Sequence, residues 1–580
     1  MKILRQDFER LIAGGAEYMF NSEVCEEDNV AHNGRRAYIW PLLAWLMKNN
    51  IEGTWEVFAK DAAEKLGKAF YHNADGATVI YPGLHHPSNY SSNAIDCGIY
   101  VDSYHDFLQS VPDAASPLKD SINEVVHTYL ANKIASPTLI HNQYLWAITG
   151  LARWVEENAD DAVSQNYRDL IYTRIVSWLS FNNASGYSPY SNLAHDPYNT
   201  GITTYYHSRS IAFSWYALEK LGVSSESIEA ALLMATRFLA AMVRPDGTKN
   251  LFLESKRYYF NGPYEAASNS YDIYCYSKAY GCTGDERWIS LASLSLRFLC
   301  DTQDTRGAIQ SHGGSNYDWQ CPIMRTGHMA WLTRVPDSFL ELIFESKSID
   351  TPFFDTQWHG DELILIGDKK GWVHFLPIKT PLIGYQGQRA SGLLLGKPGN
   401  INNLFNILPL HYRMQCISIR RLRYISMALI KSFRHAIYHA RRSLWPKRKP
   451  WQAWLIIKDE IFSYLWVAGM KLSTEFCTKI TNLHIEEGKI SHDLVLSNVL
   501  GKEERRIGTR VIIWYGSDIQ VIDTLVSGRM LKTTIPNGWH CNNSAIQTDN
   551  VSITHTPVTL TYYGKAPVVA SETYNQVVNM

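Results

Sequence analysis

The chain has 580 residues, with 55 Lys or Arg against 56 Asp or Glu. That length exceeds one ordinary core and implies two or three domains, and the balanced charge argues against a dedicated nucleic-acid binder. Nine cysteines with no Cys-x-x-Cys pair signal neither a zinc ribbon nor a disulfide framework.

The start, MKILRQDFERLIAGG, carries acids within its first ten residues and lacks the long apolar core of a secretory signal. No stretch reaches the uncharged apolar length of a membrane span, so a cytoplasmic location is expected. From there to about residue 345 one helical pattern follows another. Ala37 to Lys48, Thr54 to Ala69, Asp102 to Ser110, Leu118 to Ile134 and Gln143 to Glu157 place apolar residues at three- and four-residue steps. So do Asn166 to Ser180, Ser208 to Leu221, Ser227 to Val243, Tyr271 to Tyr280 and Trp288 to Cys300. Short connectors alternate with long ones rich in Gly, Pro, Asn and Tyr, which predicts an array of helical hairpins closing into an α/α toroid, its long loops at one mouth. Tyr and Trp, 34 and 18 in number, suit either sugar-stacking surfaces or packed inner helices.

After Phe344 the texture turns to short β-branched runs: ELILIGD, GWVHFLPI, HDLVLSNVL, TRVIIWYGS, QVIDTLV and PVTLTYYG. These predict an antiparallel β-sandwich over residues 350–580. A stretch at 400–458 interrupts it and reads as a basic helical insertion, with Leu422, Ile425, Leu429, Phe433, Ile437, Ala440 and Leu444 in helical step before Pro446. Between His411 and Lys458 stand twelve Lys or Arg and no acid. That stretch either rests on an acidic neighbouring domain or makes a peripheral contact with an anionic membrane surface or polyanionic chain.

Candidate chemistry concentrates in the first 345 residues. Asp246 to Asp272 (DGTKNLFLESKRYYFNGPYEAASNSYD) holds an Asp-Gly turn, a Glu254-x-x-Arg257 pair and a dense set of tyrosines. Asn261-Gly262-Pro263 suits a loop leading into a helix that starts near Pro263. Arg257 and Tyr264 could line one cavity, or be a surface ion pair and a half-buried core phenol. His207 opens the preceding inner helix as Tyr205-Tyr206-His207-Ser208-Arg209, and His141-Asn142-Gln143 opens an earlier one. Ser311 to Trp319, containing His312 and followed by Arg325 and His328, could close one side of the mouth. It lacks the setting and the Lys of a phosphate loop. His85-His86 and Asn93-x-x-Asp96 read as polar groups of a loop.

The run from Tyr205 to Tyr264 resembles the catalytic region of the α/α-toroid alginate lyases and, more distantly, the heparinase II/III group. Those lyases carry Asn-Asn-His-x-Tyr-Trp at a helix start, then Asp-Gly, then Leu-Glu-x-x-Arg and, seven residues on, a Tyr. Here YYHSRS is followed by Asp246-Gly247, then Leu253-Glu254-Ser255-Lys256-Arg257, then Tyr264. The resemblance implies His207, Arg257 and Tyr264 as catalytic residues of a polysaccharide lyase. It also departs from the family pattern: Tyr206 stands where a neutralising Asn is expected, and Glu265 where a His commonly follows the Tyr.

What the resemblance implies is β-elimination on a uronic-acid-containing polysaccharide. The α-proton of a uronate is weakly acidic, so its carboxylate must be neutralised by preorganised donors. Arg257 with Asn142 or His207 would supply them, and Tyr264 or His207 would move the proton. His141, Asn142, Tyr206, Arg209, Glu254, Glu265 and His312 are the candidate substrate contacts, and no metal or cofactor is expected. Two other readings stand beside it. A glycoside hydrolase on the same toroid would use a pair from Asp96, Asp102, Asp246, Glu254 and Glu265. A non-catalytic polysaccharide-binding or biosynthesis protein would use neither set.

Overall fold

The computed structural model divides the chain into two compact units, residues 1–349 and 350–580. In the first it describes residues 3–22, 33–80, 93–136, 141–182, 204–241, 268–310 and 322–346 with Gly186, Val243 and Gly247, and in the second the strands named below.

The first unit runs in chain order through α1 (Arg5–Asn21), α2 (Asn33–Arg36), α3 (Ile39–Lys48), α4 (Trp55–Gly67), a small hairpin of β1 (Phe70–His72) and β2 (Thr78–Ile80), and α5 (Asn93–Ser110). There follow α6 (Pro112–Ala115), α7 (Lys119–Val125), a π-helical turn at Val126–Leu130, α8 (Ala131–Ala135), α9 (His141–Glu157), α10 (Ser164–Leu179), α11 (Thr204–Leu221) and α12 (Glu226–Ala241). Last come α13 (Ser268–Thr283), α14 (Arg287–Thr302), α15 (Pro322–Gly327), a 3-10 segment at His328–Arg334 and α16 (Asp337–Glu345).

Their packing closes a ring. α3 lies against α5, α5 against α9, α9 against α11, α11 against α13, α13 against His328–Arg334, and that segment returns to α3. A second layer lies outside: α1 and α4 on α3, α10 on α9, α12 on α11 and α14 on α13, with α1 reaching α14 to close the outer circle. This is an α/α toroid. Its inner helices are buried on almost every side, as α9 shows from His141 to Val155, which only a helix surrounded by other helices tolerates. α5 and α9 approach closely enough that a Cβ on Gly150 would stand 2.3 Å from the Gly98 carbonyl oxygen.

Each inner helix passes to its outer partner by a short connector. Gly222 and Gly284, at φ of 61° and 66°, end α11 and α13 in the left-handed conformation that stops a helix. The return connectors are the long ones, so the first turns of the inner elements gather at one mouth. The axis is filled by rings. Trp146 stacks on Phe213 at 5.2 Å, Phe213 meets Tyr271 edge-on at 5.5 Å, and Tyr271 lies 5.0 Å from Trp331. Tyr38 Oη accepts hydrogen bonds from the indoles of Trp146 at 2.7 Å and Trp331 at 3.3 Å.

Toward the far end of the ring lie ionic groups, some buried and some partly exposed. Arg334 pairs with Asp102 at 2.6 Å, and Tyr216 donates to the same carboxylate at 2.7 Å. Arg153 joins Glu156, Glu157 and Asp106. Lys278 and Tyr274 both meet Glu219.

The second unit carries antiparallel sheets. One is a five-stranded meander of β3 (Gln357–His359), β4 (Leu363–Asp368), β5 (Gly371–Phe375), β6 (Leu393–Gly396) and β7 (Phe405–Ile407). The larger has nine strands in the order β14-β15-β16-β17-β12-β11-β10-β9-β8. These are β8 (Arg413–Gln415), β9 (Thr474–Glu486), β10 (Lys489–Ser497), β11 (Glu504–Tyr515), β12 (Asp518–Leu525), β14 (His540–Asn542), β15 (Ala545–Thr548), β16 (Val551–His555) and β17 (Thr559–Gly564). β13 (Thr533–Pro536) pairs with β18 (Ser571–Tyr574). Asp493 on β10 accepts from Asn482 at 2.6 Å and Arg506 at 2.7 Å, tying β9, β10 and β11 together.

The expectation for 400–458 is corrected in part. Phe405–Ile407 pairs with β6 and Arg413–Gln415 with β9, so backbone pairing claims two pieces of the stretch read as non-β. The helical step from Leu422 to Leu444 lies outside the described residues. Asp96 is corrected too: it sits inside α5, fully buried, where the sequence reading put a loop.

Candidate active site

The mouth where the inner elements begin is lined by polar groups that the sequence placed in first helical turns and the ring then buried. Arg35 of α2 is ion-paired with Asp96 of α5, both out of solvent. Its guanidinium stacks 4.6 Å from the Trp146 ring centre of α9. Arg209, one turn into α11, stands 5.6 Å from the rings of Trp146, Tyr206 and Tyr271 and so lies among α9, α11 and α13. Two guanidiniums therefore share one indole.

Against that indole lies an imidazole. The His328 ring centre is 5.4 Å from that of Trp146, and its Nδ1 is 2.7 Å from Tyr271 Oη. Ser270 holds the backbone by donating to the His328 carbonyl at 2.8 Å. Burial, reinforced by Arg209 and Arg35, keeps the imidazole well below its usual range and therefore neutral. Burial raises Tyr271 well above the ordinary phenol range, Tyr38 adds to the rise, and Arg209 and Arg35 oppose it. Burial likewise pushes Asp96 up to about 6, against the pull of Arg35. The arrangement offers a phenol–imidazole pair for holding or moving a proton, the Arg209 guanidinium, and a second guanidinium already paired with the buried Asp96 carboxyl.

The predicted site residues fall into two groups. His141, Asn142, Tyr206, His207 and Arg209 are described, and all five are buried in the first turns of α9 and α11. His141 Nδ1 meets Tyr144 Oη at 2.9 Å, its ring lies 5.0 Å from Phe181, and burial lowers it to about 4. Asn142 Oδ1 has no hydrogen-bond partner among the described residues. His207 turns toward the outer layer: Nε2 donates to the Ala235 carbonyl of α12 at 3.3 Å and the ring meets Phe238 edge-on at 5.4 Å. Tyr206 packs against Arg209. Arg257, Tyr264, Glu254, Glu265 and His312 lie outside the described residues.

Sequence reasoning passed over Arg35, Trp146 and Tyr271, and gave His328 only as a neighbour of a glycine-containing loop. Their sequence separation is large and follows no motif. The one available signal was their common position near the start of an inner element, within its first two turns or just before it. Among the described residues no group of His, Cys, Asp and Glu could hold a metal ion, and no helix is long and apolar enough to cross a membrane.

No family model matches the chain, and no curated protein matches it. Solved structures do resemble it. One is the chondroitin AC lyase of Streptomyces coelicolor A3 in complex with chondroitin sulphate, 9% identical, covering 98% of this chain and 79% of that one at a TM-score of 0.47. A heparan sulfate lyase from Pedobacter heparinus is 8% identical over 93% of this chain and 76% of its own, with a TM-score of 0.43. A glycosyl hydrolase of family 88 from Bacteroides vulgatus is 10% identical over 57% of this chain and 99% of its own, also at 0.43.

Proposed function

We propose that the protein is a polysaccharide lyase that cleaves an acidic, uronic-acid-containing polysaccharide by β-elimination. The observation that carries this reading is that Arg35 and Arg209 both lie against Trp146, beside the Tyr271–His328 pair, where the inner helices of an α/α toroid begin. A β-elimination needs fixed positive charge where the carboxylate becomes an aci-anion, and a phenol or imidazole to move the proton. In this reading Arg257 and Asn142 neutralise the carboxylate. Tyr264, as the phenolate, takes the α-proton, the C–O bond to the leaving sugar breaks as the conjugated double bond forms, and the Tyr264 O–H returns that proton to the leaving oxygen. His207 is the alternative base in this reading.

The proposal extends to the rest of the chain. The sheets of the second unit form a β-sandwich, and 411–458 contacts an anionic surface, with the protein in the cytoplasm. The twelve basic residues of that stretch support the contact with an anionic surface.

A glycoside hydrolase is the second reading, favoured by one observation: the buried Asp96 carboxyl is held at about 6, where a proton donor is useful. Incubation with a panel of acidic polysaccharides separates the two. A lyase product gains ultraviolet absorbance from its new double bond, whereas a hydrolase releases reducing ends without it. Neither signal on any polymer that nevertheless binds would make this a binding protein.

A further inference from the structure

We propose that Asn269 is a positioning residue for the elimination: its side chain fixes where the stretch carrying Arg257 and Tyr264 leaves the toroid relative to where it returns. The role in the reaction rests on the lyase reading; the tie itself does not. Residues 248–267 lie outside the described residues, but Gly247 before them and Ser268 after them are described. Asn269 Nδ2 donates to the Gly247 carbonyl at 2.8 Å, and Asn269 is fully buried. A carbonyl can only accept, so the amide nitrogen is the atom that faces it. Two positions 22 residues apart therefore meet at the first turn of α13.

Both partners of the bond are themselves held. Gly247 has a φ of 80°, in the left-handed region, and a Cβ there would stand 2.4 Å from the Leu294 carbonyl oxygen of α14. Glycine is what lets the backbone pass this close to α14 and still present its carbonyl to α13. On the other side, Asn269 lies between two residues that each bind a different neighbour. The Ser268 carbonyl accepts from Ser208 of α11 at 3.4 Å, and Ser270 donates to the His328 carbonyl at 2.8 Å. Ser268, Asn269 and Ser270 are all fully buried. Three consecutive residues thus join α11, Gly247 and the His328–Arg334 segment to one turn of α13. The bond holds the ends of the stretch together, so its closure is met before substrate arrives. An error of about 1 Å in such an anchor can slow a reaction on the order of 10²-fold.

Amide hydrogen exchange of the full chain, with steady-state kinetics on the polysaccharide it cleaves, tests the tie. In Asn269→Ala, exchange should quicken by about 10-fold or more in 248–267 and stay unchanged in α5 and α9. Its kcat should fall by on the order of 10- to 10²-fold with KM changing less, since the reacting groups are present but misplaced. Asn269→Asp keeps the shape and stands in if the alanine variant does not fold. Its carboxylate cannot donate, whereas its acid form can. Its kcat relative to wild type should therefore recover as pH falls from about 8 to about 5, burial raising its pKa into that range. Exchange unchanged in 248–267, or quickened alike throughout the chain, would overturn the tie. Exchange quickened there with kcat unaltered would overturn the positioning role. If the wild-type chain cleaves no polysaccharide, the lyase reading fails separately, and the exchange result alone decides whether Asn269 holds the two ends together.

Discussion

Gly150 of α9 stands so close to Gly98 of α5 that any side chain there would enter the Gly98 backbone. The contact fixes how near two inner helices come, and Trp146 lies one turn before Gly150 on the same helix. Gly150→Ala should therefore destabilise the protein by about 3 kcal/mol, since a backbone oxygen cannot move aside as a side chain can. Gly281→Ala, on α13 with nothing within 4 Å of the added carbon, should instead stabilise it by about 0.5–1 kcal/mol. Urea midpoints of both variants check the contrast, and equal effects would mean the α5–α9 approach is looser than described.

Acid should unfold the protein through its buried imidazoles. Burial holds His141 at about 4 and His105 at about 3, the latter helped by Arg153 and Lys119, both below the unfolded value of 6.5. Their contribution to stability is complete above about pH 6.5 and is lost as pH falls through the folded values. Asp96 acts oppositely: held at about 6 against 3.8 unfolded, it disfavours folding increasingly as pH rises between those values. With His328 also held well below 6.5 by burial, three imidazoles outweigh this carboxyl, so stability at pH 4.5 should fall below that at pH 7 by at least about 2 kcal/mol. His141→Gln should flatten part of that slope. An unchanged urea midpoint across this range would refute the assignment.

The ion pair of Arg334 with Asp102 is almost wholly out of solvent. Removing one partner strands the other, so Arg334→Met should cost about 3–5 kcal/mol. The double variant Arg334→Met with Asp102→Leu should recover much of that loss, because no charge is then buried alone. A double-mutant cycle by denaturant unfolding measures the coupling, and simple additivity would show that the two groups do not act as a pair.

Substitutions at the mouth should split by role. If elimination is the reaction, Tyr264→Phe should lower kcat by about 10² or more and leave KM nearly unchanged. Arg257→Ala should harm both, having removed a charge partner present before the transition state. Loss of activity in Glu265→Gln with Tyr264→Phe near wild type would identify a hydrolase instead.

The toroid was legible because its signal is local: three- and four-residue apolar steps mark helices, and alternating connector lengths mark hairpins. α5 shows the limit of that signal. Its start at Asn93 lies well before the stretch beginning at Asp102, because Ala94, Asp96, Cys97 and Gly98 carry no apolar stripe; they are buried by neighbours on every side. The first-turn positions of His141, Asn142, His207 and Arg209 were readable from the residues that open each helix. Their partners were not, since Arg35, Trp146, Tyr271 and His328 meet only after ring closure joins segments nearly 300 residues apart. The short strands at Phe405–Ile407 and Arg413–Gln415 were missed for a related reason. Each runs for three residues, too few for alternation to show, and is defined by the strand it pairs with.

Closure of the ring also sets an order of events during synthesis. The Leu11 carbonyl accepts from Gln303 at 2.9 Å, and Tyr38 accepts from Trp331. Neither bond exists until almost the whole helical unit has left the ribosome. Until then α1 and α3 have one flank open, with Trp40, Leu42 and Leu43 already made but their enclosure unfinished. At roughly 5–20 residues per second this interval lasts on the order of 15–60 s. The last contact of the ring, His328–Arg334 against α3, therefore forms only after nearly all of the helical unit has been made.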